Sequence, residues 1–326
     1  MEQRTPHPDT WILTDGNAGN LRQARALALA MKLQAEEWSL QARAPWRQLA
    51  PRMLPGADRA FGSGFRGALA RPPALAIGCG RQAGLATRLA RRAGARAVQI
   101  LDPRIPPGHW DVVVAPEHDG LHGQNVVHVL GSLHPVDDGW LEAARRHYTA
   151  LSTLQQPRTA VLLGGDSAHA KFDQGFVDQL AERLHRRAEA EDGCLLVTAS
   201  RRTPPDVAAR LVARFGRRAG VVWTGPGDGA NPYPGLLACA DRIVCTADSV
   251  NMLSEACATR VPVFVAGIDR LGGRPRRFVD SLLGMGRVRA LDEHMASFPV
   301  TPLRETARVA REVHRRLGLD SGAGDD

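Results

Sequence analysis

No Cys-x-x-Cys pair occurs in this chain; Cys79, Cys194, Cys239, Cys245 and Cys257 lie scattered in or beside apolar runs. An odd, unclustered set argues against a disulfide framework and against a zinc site, and reads as reduced thiols of a cytoplasmic protein. No apolar run approaches the length that spans a bilayer, and the opening MEQRTPHPDT is polar. The expected location is the cytoplasm, with peripheral contact at the inner membrane surface left open. No Asp-x-Asp occurs, and no histidine pair sits on a stretch of helical spacing. Neither a metal-bridged donor phosphate, a bound metal nor a cofactor is therefore expected. Aromatic residues make up 5% of the chain, and the basic residues are dispersed instead of striped. Nucleic-acid binding, which needs a basic stripe with stacking rings, is not expected.

What is abundant is arginine, alanine, glycine and proline, with Lys32 and Lys171 as the two lysines, a pattern of high-GC coding. The formal charge of +8 and a pI near 10.0 favour anionic partners. A length of 326 residues allows two domains, each with its own core. Trp11 to Thr14, Glu37 to Leu40, Ala74 to Ile77, Val98 to Leu101, Asp111 to Ala115 and Val126 to Leu130 read as strands, with helices after the first and third. The basic, Pro- and Gly-rich segment from Gln41 to Gly67 reads as irregular, and Trp140 to Leu154 as a helix leading to a linker at Gln155-Gln156-Pro157. The alternation restarts with strands Ala160 to Leu163, Leu195 to Thr198 and Val221 to Thr224, helices Phe176 to Ala188 and Val207 to Phe215, and a loop Gly225 to Pro234. Ile243 to Gly267 follows as a strand, helix, strand unit. Alternating strands and helices imply parallel sheets covered on both faces. The expected domains are 1–155, 156–302, and a basic amphipathic helix within 303–326 that packs back on the first domain and ends in a disordered tail.

In open parallel sheets, ligands bind beyond the carboxyl ends of the strands. Candidate groups collect at those ends. Thr14-Asp15-Gly16 with Gly19-Asn20 closes the first strand, where glycines admit a close ligand and Asp15 can act as a base; the plainer alternative is a capped turn. Glu117-His118-Asp119 follows another strand, and His118 has the side-chain type suited to proton transfer near neutrality. Gly164-Gly165-Asp166-Ser167 offers backbone amides to a phosphate but lacks a Walker ending. Ser200-Arg201-Arg202-Thr203-Pro204 suits a diphosphate. Asn231-Pro232-Tyr233 reads as a rigid turn or a ligand loop. Asp248-Ser249 and Ser254-Glu255 complete the set, with Glu255, taken to lie near the start of a helix, able to accept from both hydroxyls of a ribose. Gly78-x-Gly80-x3-Gly84 with Asp102 downstream resembles a dinucleotide fingerprint, which keeps an NAD(P)-dependent oxidoreductase as a lesser alternative.

The sequence of motifs Trp11-x-Leu13-Thr14-Asp15-Gly16, Leu101-Asp102-Pro103-Arg104, Ala115 to Asp119, Leu163 to Asp166, Ser200 to Pro204, Asn231-Pro232-Tyr233 and Thr246 to Ala256 resembles the mitochondrial fission ELM-type family, from about residue 11 to about 285. Bacterial members of that family are named as candidate glycosyltransferases. The resemblance implies a GT-B-like fold, two Rossmann-like domains facing a cleft. Asp248 to Val265 also looks like the donor-binding unit of GT-B enzymes such as the lipid-linked N-acetylglucosaminyltransferase of peptidoglycan synthesis. By that likeness Glu255 binds the ribose, while Asp248, Ser249, Gly165, Asp166 and Ser167 line the phosphates or sugar. Arg260 departs from the glycine usual in the turn before Val261-Pro262.

The combined expectation is a metal-independent glycosyltransferase. Its nucleotide-sugar donor sits on Gly165, Asp166, Ser167, Ser200, Arg201, Arg202, Asn231, Tyr233, Asp248, Ser249, Ser254 and Glu255. The acceptor, unidentified and of cell-envelope type among the options, meets Gly16, Gly19, Asn20 and Glu117, with Asp15, or else His118 or Asp119, taking its proton. The alternative from another class is a non-catalytic scaffold of the same fold that binds a protein or membrane partner.

Overall fold

A computed structural model describes residues 9–165, 173–200, 203–216 and 219–319. The chain divides into two units, Met1–Pro135 with Glu305–Asp326, and Val136–Arg304. Each holds one six-stranded sheet in which every pairing is parallel.

The first unit runs β1 (Thr10–Thr14), α1 (Ala18–Ala30), β2 (Ala35–Ser39), α2 (Trp46–Leu49), α3 (Gly62–Ala68), β3 (Leu75–Cys79), α4 (Arg81–Arg92), β4 (Arg96–Ile100), β5 (Val112–Pro116) and β6 (Val126–Val129). Its strand order is β2-β1-β3-β4-β5-β6. Apart from the half-exposed edge strand β2, both faces of this sheet are buried, which is why β1, β3 and β5 read as largely apolar runs instead of alternating ones. Ile12, Ile77, Val98 and Val114 turn to one side, onto Leu27 and Met31 of α1 and onto Val309 and Val313 of the last helix. Trp11, Leu13 and Ala76 turn to the other, onto Phe65, Leu85 and Leu89.

The second unit runs α5 (Asp138–His147), α6 (Thr149–Ser152), β7 (Arg158–Leu163), α7 (Gln174–Ala190), β8 (Cys194–Ala199), α8 (Pro205–Phe215), β9 (Ala219–Trp223), α9 (Tyr233–Cys239), β10 (Arg242–Thr246), α10 (Val250–Cys257), β11 (Val263–Ala266), α11 (Gly273–Gly284) and β12 (Arg289–Ala290). Its order is β12-β11-β10-β7-β8-β9. The chain then returns to the first unit as α12 (Thr306–Leu317). Glu305 Oε2 accepts from Leu130 N at 2.7 Å, and Thr306 Oγ1 accepts from His134 N at 3.1 Å and donates to its carbonyl at 2.8 Å.

Four expectations need correction. The segment from Gln41 to Gly67 is not irregular throughout: it contains α2 and the start of α3, because Phe61 and Phe65 pack edge-on and Phe65 is buried against Trp11 and Trp38. The helix expected over Trp140 to Leu154 is two, broken at Tyr148, whose hydroxyl donates to Asn231 O at 2.9 Å. The boundary between units falls at Pro135 and not near 155, since α5 belongs to the second core: Arg145 donates to Ala238 O at 2.8 Å, and Gly235 of α9 lies so close to Tyr148 that a Cβ would come within 2.6 Å. The loop expected from Gly225 to Pro234 ends earlier, as α9 starts at Tyr233 behind Pro232.

Candidate functional site

Both sheets reverse their direction of growth once, between β1 and β3 in the first unit and between β7 and β10 in the second. At such a switch point the connecting helices leave to opposite faces, so the strand ends are left accessible between them. In the first unit the Asp15 motif lies at this place, and in the second Gly164, Gly165 and Asp248 do.

In the first unit β1 and β3 end level, Thr14 opposite Cys79. Asp15 follows, half-buried, and its carboxylate accepts from Asn17 N at 3.1 Å, Asn17 Nδ2 at 2.7 Å and Asn20 Nδ2 at 3.0 Å. Helix α1 begins at Ala18, so Gly19 and Asn20 sit in its first turn and not in a loop. Asn20 bridges the two strand ends, its Oδ1 lying 3.7 Å from Cys79 Sγ. Gly16 and Gly80 both have positive φ, and side chains there would strike Ser39 Oγ and Asn20 Nδ2. Glu117, His118 and Asp119 form a single 3₁₀ turn after β5. Three strand spacings of about 4.8 Å separate β1 from β5, roughly 14 Å, so Asp15 and His118 are not brought together.

In the second unit the switch point is a closed network. Thr246 Oγ1 accepts from Gly164 N at 2.8 Å and donates to Asp248 Oδ1 at 2.7 Å. Asp248 Oδ2 accepts from Gly165 N at 3.0 Å, and Thr203 Oγ1 donates to Gly164 O at 2.8 Å. A Cβ on Gly164 would lie 2.1 Å from either carboxylate oxygen, so only glycine fits. The amides of Gly164 and Gly165, expected to hold a phosphate, are taken instead by the protein's own hydroxyl and carboxylate, because a buried amide must find an acceptor. Ser200 N donates to Leu163 O at 2.8 Å. Asp166, Ser167, Arg201 and Arg202 lie outside the described residues.

Helix α10 starts beside this network. Ser249 caps it, accepting from Met252 N at 3.4 Å, and Ser254 Oγ donates to Val250 O at 2.7 Å. Glu255 lies in the second half of the helix, not near its start, and is 3% exposed. Its Oε2 accepts from Tyr233 Oη at 2.5 Å. Tyr233 is therefore a buried partner of Glu255, while Asn231 shapes the approach by accepting from Tyr233 N at 3.0 Å. Arg260, the departure from glycine, is turned outward onto Asp138 at 2.8 Å, which also takes Arg304 at 2.8 Å. These two guanidiniums hold the Asp138 carboxyl well below its usual range.

Two contributors have no signal of their own in the sequence. Thr246 reads as the last residue of a strand yet links Gly164 to Asp248. Arg287 is buried and donates to the carbonyls of Cys257 at 2.9 Å, Thr259 at 2.9 Å and Ala256 at 3.3 Å, placing a cation on the carboxyl end of α10. All five cysteines are free and buried. The three glycines of the dinucleotide-like pattern are explained by packing: a Cβ on Gly78 would meet Thr87 at 2.4 Å, one on Gly80 would meet Asn20, and one on Gly84 would meet Pro51 at 3.1 Å. Asp102 turns back on Arg104, accepting from its N at 2.8 Å.

The family model described as Mitochondrial fission ELM1 matches residues 18–317. The mitochondrial fission protein ELM1 of Arabidopsis thaliana is 30% identical over 276 residues, 75% of this chain and 64% of that protein, so the match spans less than two thirds of the relative's length. Among solved structures, the UDP-GlcNAc 2-epimerase of Methanocaldococcus jannaschii is similar with a TM-score of 0.55 at 13% identity, over 94% of this chain and 99% of that one. CalG4, the calicheamicin glycosyltransferase, is similar with a TM-score of 0.50 at 14% identity, over 98% and 100%. The fold is thus that of GT-B glycosyltransferases and of nucleotide-sugar epimerases. No helix among the described residues is long and apolar enough to cross a membrane.

Proposed function

The chain belongs to the mitochondrial fission ELM1 family, and from this membership and the GT-B-like fold we propose that it is a metal-independent glycosyltransferase using a nucleotide-sugar donor. The observation that carries the reading is Glu255: a carboxylate 3% exposed, on the helix that leaves the switch-point strand β10, held by the Tyr233 hydroxyl. Burying a carboxylate is costly and is kept where its acceptor geometry has a task. Here the task is to accept from the ribose hydroxyls. Ser200, Ser249 and Ser254, with Asp166, Ser167, Arg201 and Arg202, complete the donor side in this reading, the two arginines taking the charge of the departing diphosphate. Asp15, or else His118 or Asp119, removes the acceptor proton as the acceptor oxygen bonds to the anomeric carbon and the bond from that carbon to the phosphate oxygen breaks. The acceptor is of cell-envelope type in this proposal, and the protein works in the cytoplasm or at the inner membrane surface.

Calorimetry across UDP-, GDP-, ADP- and CMP-sugars tests the donor site. Binding of one class, lost in Glu255→Gln while circular dichroism is unchanged, is the expected result. No binding across the panel overturns it.

One observation favours a second reading, a non-catalytic scaffold. The Gly164 and Gly165 amides are filled by Thr246 and Asp248 and so are not offered to a phosphate, and the Arabidopsis relative carries the name of a fission protein. Donor consumption in the presence of cell extract separates the two, since a scaffold leaves the donor intact.

A further inference from the structure

Away from either cluster of strand ends, the first unit carries a shallow groove along the outer side of α4. Two adjoining depressions of about 350 and 380 Å³ share Met53, Arg88 and His109. Arg91 and Arg92 line one; Arg52 and Arg104 line the other, beside Ile105. Five guanidiniums thus converge from α4, from the segment after α2 and from the strap between β4 and β5.

Their charges are unevenly matched. Arg91 pairs with Asp111 at 3.1 Å, a carboxylate that also has Arg96 at 3.8 Å, and Arg104 pairs with Asp102 at 3.3 Å. Arg88 gives one N–H to Pro51 O at 2.6 Å, lies 5.9 Å from the Trp110 ring, and has its other nitrogen 3.4 Å from His109 Nδ1. Arg52, Arg88 and Arg92 have no carboxylate partner among the described residues. Three like charges that line one groove without a carboxylate partner repel one another, and a bound anion relieves that repulsion.

We propose that this groove binds a phosphate-monoester or diphosphate group, with Arg52, Arg88 and Arg92 as its charged donors, His109 as a fourth, and Met53 and Ile105 as an apolar shoulder for whatever the phosphate is attached to. A guanidinium fork matches phosphate oxygens in both geometry and charge. The group can come from a soluble phosphorylated molecule or from a phospholipid headgroup. The site is independent of the donor-site reading, because it uses none of those residues.

His109 reports on occupancy. Burial, then the charges of Arg88 and Arg91, hold its imidazole below the usual histidine value. The other charged groups at the groove are Arg52, Arg92 and Arg104, with Asp102 and Asp111 already paired. A bound dianion adds negative charge there and moves His109 upward.

The test follows the His109 ring protons by NMR in the full chain. Inorganic pyrophosphate raises the His109 pKa, and the exposed double variant Arg52→Gln with Arg92→Gln weakens that response about tenfold, the loss of roughly one charge-assisted hydrogen bond. Arg52→Lys with Arg92→Lys retains most of it. Sedimentation with phosphatidylcholine vesicles, with and without phosphatidic acid, separates the sources. Binding to the acid-containing vesicles that the Gln variant loses assigns a headgroup; a pyrophosphate response without vesicle binding assigns a soluble ligand. Silence toward both probes, or a Gln variant that responds like the parent, overturns the proposal.

Discussion

The Tyr233 hydroxyl lies 2.5 Å from Glu255 Oε2, so the first residue of α9 and the sixth of α10 share one buried hydrogen bond. A phenol and a carboxylate that are 22 residues apart in the chain become one unit across β10. Tyr233→Phe leaves the carboxylate short of a donor and is expected to lower stability by about 1–3 kcal/mol. Glu255→Gln keeps an oxygen for Tyr233 and costs less. Urea unfolding of both variants measures the difference, and a Tyr233→Phe midpoint equal to the parent's would show that the pair does not hold the two helices.

Gly164→Ala drives a methyl into Asp248, whose oxygens would stand 2.1 Å from it. The carboxylate must swing away and release both Thr246 Oγ1 and Gly165 N. The expected loss is about 2–4 kcal/mol, from an unsatisfied buried amide and displaced charge. Nucleotide-sugar binding, if seated here, falls with it. Thermal unfolding with and without the donor reads both effects, and an Ala variant with parent-like stability contradicts the network.

Removing Arg287 uncaps α10. Its guanidinium serves the carbonyls of Ala256, Cys257 and Thr259 in a buried site. Arg287→Met is expected to cost about 3 kcal/mol, the scale of charge-assisted hydrogen bonds left unmade. Arg287→Lys recovers part of it, lacking the planar fork. Equal stability of the Met and Lys variants would argue that packing of the stem, and not the cap, is what matters.

The buried thiols predict an alkaline limit. Burial pushes Cys79 and Cys245 well up, with nearby Asp15 and Asp248 adding to it, and pushes Cys257 up to about 12. A thiol raised in the native state stays protonated where the unfolded chain has already released its proton, near pH 8.5. Its contribution is complete below about pH 8.5 and is lost as the pH climbs toward the folded value of about 12 for Cys257. Unfolding midpoints should fall steadily above about pH 9, and Cys257→Ala should flatten that slope. Thiol-reactive dyes at pH 7 should label none of the five until denaturant is added.

Much of the architecture was legible because β-strands buried on both faces leave short apolar runs, and Gly and Pro punctuate them. The strand-end positions of Asp15, Glu117 to Asp119, Gly164-Gly165 and Asp248 followed from that alone. Less legible were places where tertiary contacts override local pattern. Phe61 and Phe65 turned a Pro- and Gly-rich segment into helix, and Tyr148 broke what reads as one helix to reach Asn231. The unit boundary moved because α5 buries itself on α9, a contact with no local signature.

The sequence by itself determined two parallel α/β sheets and the polar residues that crown their strand ends, since both depend on patterns of a few consecutive residues. Only the tertiary structure decided what those residues touch. It closed the Gly164 and Gly165 amides on Thr246 and Asp248, joined Glu255 to Tyr233, put Arg287 under α10, and kept Asp15 and His118 three strands apart. Each is a pairing across strands or helices distant in the chain, and burial makes such pairings obligatory without saying in advance which partners will meet.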